Sequence, residues 1–316
     1  MLDLLLSIPL WVPLLFVIVA GVTLFYRHLP ERSVLWYKNE NMYIDARTND
    51  KKSFPPPSAE PAVYLSLVVP AYNEEKRMPT MLDETLAYLQ QRSAEDPQFT
   101  YEIIVVDDGS RDKTTDVALN YAKQHKLDTV RVLKLAKNRG KGGAVRRGML
   151  VARGRYALMV DADGATKFSD LERLEKRLLQ AEKNGLGVAV GSRHHLQEKS
   201  EAVAQRTFLR KTLGATFHML VTFCVANVHD TQCGFKLFTR RSAQLLFSNL
   251  HIERWAFDVE LLYLAQQLNM PIEEVPVNWQ EIAGSTLNPV TASIQMAKDI
   301  FYIRALYILG YWKIDK

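Results

Sequence analysis

The chain has 316 residues, 47% of them hydrophobic and 24% charged, which excludes a disordered chain and a polytopic membrane protein. Its net charge of +5 favours contact with nucleic acid, anionic lipid or phosphorylated substrates without choosing among them. Cys224 and Cys233 are the only cysteines, so neither a disulfide scaffold nor a cysteine metal site is expected.

Residues 1–26 predict a transmembrane anchor. The run from Leu4 to Phe25 is apolar and uncharged, and it is long enough to cross the hydrocarbon core as a helix. A cleaved signal peptide is the alternative, but Asp3 stands where a basic region would be expected and no small-residue cleavage site follows the run. Because lysines and arginines follow at positions 27–38, the positive-inside rule places the remaining chain in the cytosol.

The remaining chain predicts a juxtamembrane and proline-rich linker at 27–61, a globular domain at 62–288 and a C-terminal helix within 289–316. Runs of β-branched residues predict strands, and helix-period segments such as 81–92 and 170–184 lie between them. The predicted strands are 63–70, 101–106, 130–135, 156–160 and 187–191. This alternation predicts an α/β fold with a mainly parallel sheet and helices on both faces.

Residues that follow the strands are the candidates for a binding site, because ligands bind at the carboxyl ends of parallel strands. After the first strand, Tyr72 in the polar turn 70–75 offers a ring on which a base could stack, and a plain connecting loop is the alternative. After the second strand, Asp107 and Asp108 are two adjacent carboxylates, which is more than a turn or helix cap needs.

The segment after the third strand combines glycines with cations. Residues 137–147 include Gly140, Lys141, Gly142 and Gly143, with further arginines before and after them. Backbone N–H groups at the start of a helix, together with these cations, favour binding of a diphosphate. The Walker pattern is absent, and a solvated basic loop is the alternative.

The fourth strand ends in two carboxylates, Asp161 and Asp163. Carboxylate oxygens at the tip of a buried strand are typical ligands of a hard divalent ion such as Mg²⁺ or Mn²⁺. An Asp-x-Asp pattern is common by chance, but its position downstream of a phosphate-type loop strengthens the interpretation.

Four motifs in this order resemble the inverting family-two glycosyltransferases: VVPAYNEE at 68–75, VVDDGS at 105–110, NRGKGGA at 138–144 and DADG at 161–164. Segments 191–193, 230–236, 254–258 and 275–279 are most similar to family members that transfer glucose from UDP-glucose to dolichyl phosphate. The resemblance implies a glycosyltransferase-A-type, Rossmann-like nucleotide-sugar-binding catalytic domain at 62–288, with an N-terminal transmembrane helix and membrane-associated helices.

The same resemblance implies the reaction and its place in the cell. UDP-glucose would be the donor, dolichyl phosphate the acceptor and dolichyl β-D-glucosyl phosphate the product. The reaction would occur at the cytosolic face of the endoplasmic reticulum, and the product would donate glucose to the lipid-linked oligosaccharide of protein N-glycosylation.

Matching motif positions assigns expected roles on the donor side. Pro70, Tyr72 and Glu74 would line the uridine pocket, Asp107 would bind the uracil, Lys141 would lie near the phosphates, Asp161 would contact the nucleotide and Asp163 the metal. Related mannosyltransferases often carry a further glutamine ligand where this chain has Ala165, so water, the donor phosphate or Asp161 must complete the metal shell.

A phosphate acceptor changes what catalysis requires. Its second pKa is about 6, so it is largely dianionic at cytosolic pH and needs no proton removed before attack. We therefore expect Asp258 to position the sugar or the acceptor, with a catalytic base as the alternative.

Cations on the acceptor side are expected to be Arg193, Arg206 and Arg210, the last two one helical turn apart. Contact of Arg206 and Arg210 with lipid headgroups is the alternative. The apolar segment 212–228 and the C-terminal helix at 289–316 predict interfacial helices that contact membrane lipid, although the C-terminal one could equally pack on the core.

Two other functions stay open at this stage. A mannosyltransferase that uses GDP-mannose would share these motifs. A membrane-anchored RNA-binding or scaffold protein could use the basic stretch 131–155, but aromatic residues to stack bases are not interleaved there, so no nucleic-acid partner is expected. The sequence does not decide whether the chain forms a homo-oligomer.

Overall fold

A computed structural model describes residues 40–54, 60–125, 129–196, 221–222, 224–282 and 289–315, with only the backbone for 289–291. The predicted anchor, most of the linker and of segment 212–228, and both Arg206 and Arg210 lie outside these residues. Within the described residues, no helix is both long and apolar enough to cross a membrane.

The predicted α/β fold is confirmed, and each of the five predicted strands is present within two residues of its expected ends. In chain order, the strands are β1 (Met42–Ile44), β2 (Lys51–Ser53), β3 (Val63–Ala71), β4 (Tyr101–Asp107), β5 (Val130–Lys134), β6 (Gly154–Val160), β7 (Val188–Ser192), β8 (Phe235–Thr239) and β9 (Ile272–Pro276). The helices are α1 (Met78–Glu95), α2 (Thr114–Gln124), α3 (Lys141–Val151), α4 (Leu171–Ala181), α5 (Arg240–Asn249), α6 (Phe257–Gln267) and α7 (Pro289–Ile308), and a 3-10 turn (Phe168–Asp170) precedes α4.

The strands form one nine-stranded mixed sheet in the order β2-β1-β5-β4-β3-β6-β8-β7-β9. Strands β3 to β6 pair in parallel, as do β7 and β9, but β8 is antiparallel to both β6 and β7. Strand β1 also pairs antiparallel with β2 and β5, so the described sheet is mixed and the prediction of a mainly parallel sheet was wrong. Strand β8 lies between β6 and β7 although residues 193–234 separate it from β7 in sequence, so strand-helix alternation did not reveal it.

Helices cover both faces of the sheet. On one face, α1, α2 and α4 pack on alternate residues such as Leu67 of β3 and Val105 of β4. On the other face, α3 lies so close that a Cβ on Gly148 would be 2.3 Å from Val68 Cγ1. The carboxyl ends of β3, β4 and β6 thus open between two helical layers.

The C-terminal helix α7 packs one side on the domain. Tyr307 donates a hydrogen bond to Glu260 at 2.9 Å, Trp312 stacks on His251 with ring centroids 4.2 Å apart, and Tyr302 is buried. These contacts agree with the alternative that the C-terminal segment packs on the core: Tyr302 and Trp312 are buried, and Tyr307 is partly buried. Tyr311 is exposed, as are Ile294, Phe301 and Ile308 on the outer face of the helix.

We expect Gly148→Ala to destabilise the protein by about 1–3 kcal/mol, because the added methyl group meets Val68. In an unobstructed helix the same change stabilises by about 1 kcal/mol, so the sign is diagnostic. Urea unfolding measures the free energy of unfolding of Gly148→Ala, of Val68→Ala and of the double variant. The combined cost should be smaller than the sum of the single costs, and a stabilising Gly148→Ala would contradict the close packing.

Candidate active site

A cavity of about 680 Å³ opens at the carboxyl ends of β3, β4 and β6. It is lined by residues that follow these strands and by later segments of the chain. They include Pro70, Tyr72, Glu74, Arg77, Asp108, Asn138, Lys141, Asp161, Asp163, Arg254, Trp255, Trp279 and Gln295. All the predicted donor-side residues except Asp107 therefore line this cavity, together with Asp163.

The turn after β3 presents an aromatic ring and an ion pair. Tyr72 is 37% exposed, and Glu74 accepts two hydrogen bonds from the guanidinium of Arg77. Burial raises the pKa of Glu74, and Arg77 offsets this only in part. Arg77 also approaches Asp163, with Nη1 3.8 Å from Oδ2. Sequence reasoning missed Arg77, which lies at the N-cap position directly before α1.

The two carboxylates after β4 have different positions. Asp107 is fully buried, does not line the cavity, and accepts hydrogen bonds from the Ser110 N–H at 2.8 Å and the Thr115 hydroxyl. Asp108 lines the cavity and accepts from the N–H groups of Arg139 at 2.6 Å and Gly140 at 2.8 Å. Burial raises the pKa of Asp108 to about 7. The structure favours Asp108 over Asp107 for donor contact, and a uracil contact by Asp107 stays a prediction.

The glycines of the 137–147 segment allow close packing. A Cβ on Gly140, whose φ is +86°, would lie 2.8 Å from the Glu253 carbonyl oxygen, and one on Gly142 would lie 2.6 Å from Phe257 Cβ. The Gly143 N–H donates to the Glu253 carbonyl at 2.8 Å. The start of α3 is thus held against residues 252–257, and the N–H groups of Gly140 and Gly143 bind protein groups instead of pointing to a diphosphate.

The arginines of this segment do not reach the cavity. Arg139 pairs with Glu40 at 2.7 Å and with Glu253, Arg147 lies 3.4 Å from Glu40, and Arg146 donates to a backbone carbonyl. All three arginines are buried. The expectation that they add charge to a phosphate site was wrong, because carboxylates distant in sequence hold Arg139 and Arg147, and backbone carbonyls hold Arg146. Their burial also reduces the basic surface of the stretch 131–155, in which Lys134, Lys137 and Arg155 stay exposed.

Lys141 is the cation of the segment that does line the cavity. Its Nζ lies 2.7 Å from Asp161 Oδ1. Burial lowers the pKa of Lys141, but Asp161 and Asp258 raise it more, so the net pKa is above its usual value. A Cβ on Gly234 would lie 1.9 Å from Asp161 Oδ2, so only glycine fits beside this carboxylate.

Asp161 and Asp163 are the residues that could hold a divalent ion. Both side chains are partly exposed, at 32% and 27%, and Asp163 accepts a hydrogen bond from the Ala165 N–H at 3.0 Å. Within the described ranges, no group of three or more metal-ligating side chains exists. Two carboxylates still fit Mg²⁺, which commonly binds through one or two of them plus substrate phosphates and water.

Asp258 lies at the start of α6, buried behind the cavity. It pairs with Lys236, whose Nζ also donates to the Cys233 carbonyl at 2.7 Å. Burial raises the pKa of Asp258, and Lys236 and Lys141 offset this in part. Asp258 is not among the residues that line the cavity, so it does not present its carboxylate to a substrate in this arrangement.

Arg193 follows β7 and is held by Asp230. Its Nε and Nη2 donate to the carboxylate at 2.7 and 2.9 Å, and its guanidinium lies over the Trp279 ring, 5.4 Å from the centroid. Burial raises the pKa of Asp230, but Arg193 lowers it more. Trp279 lines the cavity and Arg193 does not, so contact of Arg193 with an acceptor phosphate stays a prediction. The same holds for Arg206 and Arg210, outside the described residues.

We expect Lys236→Met to destabilise the protein by about 3–5 kcal/mol, because it leaves the Asp258 carboxylate buried without its partner. Adding Asp258→Leu should recover most of this loss in urea unfolding. As a control, Arg177→Met breaks an exposed pair with Glu273 and should cost less than about 1 kcal/mol. Equal costs for the two single variants would contradict a buried charge pair.

The chain is similar to known proteins over ranges that include the residues of this cavity. Residues 66–247 match the family model described as glycosyl transferase family 2. The chain is 51% identical over 308 residues to a protein of Dictyostelium discoideum named dolichyl-phosphate beta-glucosyltransferase, covering 96% of this chain and 94% of that one. Proteins of the same name are 52% identical over 283 residues in Homo sapiens, covering 89% of this chain and 86% of that one, and 43% identical over 265 residues in Saccharomyces cerevisiae, covering 80% and 78%.

Among solved structures, glucosyl-3-phosphoglycerate synthase from Mycobacterium tuberculosis in complex with uridine diphosphate has a similar fold. The TM-score is 0.56 at 18% identity, with 77% of this chain and 81% of that chain covered. The glycosyltransferase-A-type fold that the motifs implied is thereby confirmed. The chain belongs to glycosyl transferase family 2 and, within it, to the group of the dolichyl-phosphate β-glucosyltransferases.

Proposed function

We propose that the protein transfers glucose from UDP-glucose to dolichyl phosphate with inversion, giving dolichyl β-D-glucosyl phosphate and UDP. The observation that carries the proposal is an identity of 51–53% over most of the chain to relatives named for this activity. The cavity at the carboxyl ends of the strands supports it, because an aromatic ring, a lysine and two carboxylates meet there.

The donor fits the cavity from the base to the diphosphate. Tyr72 would stack on the uracil, with Pro70 and Glu74 beside the uridine, and Asp108 would face it from β4. Lys141 would neutralise charge on the diphosphate as the glucosyl bond breaks. Asp161 lies against Lys141, so the same pair fixes the position of the cation before the donor enters.

A divalent ion, Mg²⁺ or Mn²⁺, belongs to this proposal, with Asp163 and Asp161 as its protein ligands. When bound, such an ion neutralises the charge that builds on the leaving diphosphate. Ala165 offers no side-chain ligand, so phosphate oxygens or water would fill the other positions. Arg77 would then bind Glu74 alone, because Asp163 would turn to the ion.

The acceptor needs no strong base. A phosphate monoester is largely dianionic above its second pKa of about 6, so an oxygen lone pair can attack the anomeric carbon directly. Asp258, buried with Lys236, would act by fixing the charges behind Lys141. Its role in this proposal is positioning.

The cellular setting completes the proposal. The predicted anchor at 1–26 would hold the catalytic domain on the cytosolic face of the endoplasmic reticulum membrane, where membrane lipid would be a partner. The product would serve as the glucose donor for lipid-linked oligosaccharide in protein N-glycosylation.

Radiolabel transfer to dolichyl phosphate in membranes tests the proposed reaction. We expect label from UDP-glucose to enter the lipid phase, little label from GDP-mannose, and loss of transfer with a chelator that added Mg²⁺ or Mn²⁺ restores. Membranes without the protein are the control. Preferential transfer from GDP-mannose would contradict the proposed donor, and chelator-resistant transfer would contradict the metal.

We expect Asp163→Asn to lower turnover by at least about 100-fold, because it removes a metal ligand. Asp258→Asn should lower turnover per folded enzyme far less, since no proton is removed by a base. Thermal unfolding of each variant separates folding loss from catalytic loss. If Asp258→Asn loses as much turnover as Asp163→Asn while folded, the positioning role is wrong.

A further inference from the structure

Among the described residues, three cations line the cavity, and two of them already have carboxylate partners. Arg77 pairs with Glu74, and Lys141 pairs with Asp161. The third is Arg254, which is exposed. Within the described ranges, no carboxylate oxygen lies within 4.0 Å of its guanidinium nitrogens. Arg254 is therefore the cavity cation that can take an anion without giving up an existing pair.

Close packing fixes the backbone of Arg254 beside the donor side of the cavity. A Cβ on Gly140 would lie 3.1 Å from Arg254 Cγ and 3.2 Å from its Cα. Gly140 directly precedes Lys141, so Lys141 and Arg254 belong to two segments whose backbones are in contact. An anion bound by Arg254 would thus lie next to the diphosphate region that Lys141 serves.

An apolar surface begins at the same end of the cavity. Helix α7 contributes Ala292 and Gln295 to the cavity lining, and Gln295 donates to Asp299 at 2.7 Å. Arg254 lines the same cavity as Ala292 and Gln295, so the arginine and this helix face the same space. Along the outer side of α7, Ile294, Phe301 and Ile308 follow one another every seven residues, and each is at least 60% exposed.

We propose that Arg254 binds the phosphate of the acceptor. This inference rests on the proposed function and names the acceptor-side residue of the same site. A polyprenyl phosphate needs a cation for its head and an apolar surface for its chain, and both meet where Arg254 adjoins α7. The donor diphosphate is the other source of phosphate, but Lys141 and the Asp161 and Asp163 carboxylates already lie on its side of the cavity.

Arg254 replaces Arg193 as the acceptor cation favoured by the geometry. The guanidinium of Arg193 makes two hydrogen bonds to Asp230 and lies over the Trp279 ring. A phosphate bound there would compete with the Asp230 carboxylate, whereas Arg254 has no carboxylate partner among the described residues. The bidentate geometry of a guanidinium on a phosphate also predicts that lysine substitutes for Arg254 only in part.

The first experiment measures Arg254→Gln in the full-length enzyme. The apparent KM for dolichyl phosphate should rise about tenfold or more, and the KM for UDP-glucose should change by less than about twofold. For Arg254→Lys, the KM for dolichyl phosphate should lie between the values of the wild type and of Arg254→Gln. Arg241→Gln is the matched control, because Arg241 is exposed on α5 and donates only to the Asn184 carbonyl among the contacts of the described chain. Thermal unfolding checks that each variant is folded.

A rise confined to the KM for UDP-glucose would assign Arg254 to the donor and overturn the inference. Unchanged KM values for both substrates would overturn it as well. Farnesyl phosphate, a short acceptor, should suffer the same fold-change as dolichyl phosphate, because Arg254 contacts the phosphate. A normal KM for farnesyl phosphate in Arg254→Gln would assign the arginine to the lipid chain and contradict the inference.

Binding separates this inference from the proposed function. Equilibrium dialysis of radiolabelled farnesyl phosphate against wild type and Arg254→Gln needs no turnover. A wild type that binds farnesyl phosphate but transfers no glucose would defeat the proposed function, and weaker binding by Arg254→Gln would still support the phosphate contact. Equal binding by the two proteins would overturn the contact whether or not glucose is transferred.

Discussion

The site depends on how closely the start of helix α3 approaches residues 252–257. Glycines at 140 and 142 leave no Cβ, and any Cβ there would meet the Glu253 carbonyl at 2.8 Å and Phe257 Cβ at 2.6 Å. Because the two backbones touch, Lys141 and Arg254 face one cavity although they are far apart in sequence. The distance between these two cations is set when the chain folds. Part of the entropy cost of bringing two anionic substrates together is therefore met before the substrates bind.

Paired charges keep this arrangement rigid. Lys141 lies against Asp161, and behind them Lys236 holds the buried Asp258. Asp161 and Asp258 each have a lysine of the protein beside them, which restrains the orientation of the two carboxylates. Fixed charges of this kind need little reorganisation when charge moves from the glucosyl bond to the diphosphate, which is how a preorganised site lowers a barrier. The pairs thus connect the packing of α3 and α6 to the chemistry of the cavity.

Local patterns in the sequence predicted much of this fold. Runs of β-branched residues located five strands, and the rule that ligands bind at strand ends located Lys141, Asp161 and Asp163. The antiparallel strand β8 was missed, because it pairs with β6 and β7, which are distant from it in sequence. Sequence order also could not separate Asp107 from Asp108, since adjacent residues at a strand end point to opposite sides and only tertiary contacts decide which one faces the cavity.

Long-range pairing also explains why net charge alone did not choose among the possible partners. Arg131, Arg139, Arg146 and Arg147 make the stretch 131–155 basic in sequence, yet all four are buried. Carboxylates of Glu102, Glu40 and Glu253, all distant in sequence, pair with three of them. A cation held in this way contributes nothing to attraction of an anionic ligand unless its pair breaks, which costs most in the interior. The relevant charge is therefore the one that pairing leaves over in the cavity, and among its described cations that charge belongs to Arg254.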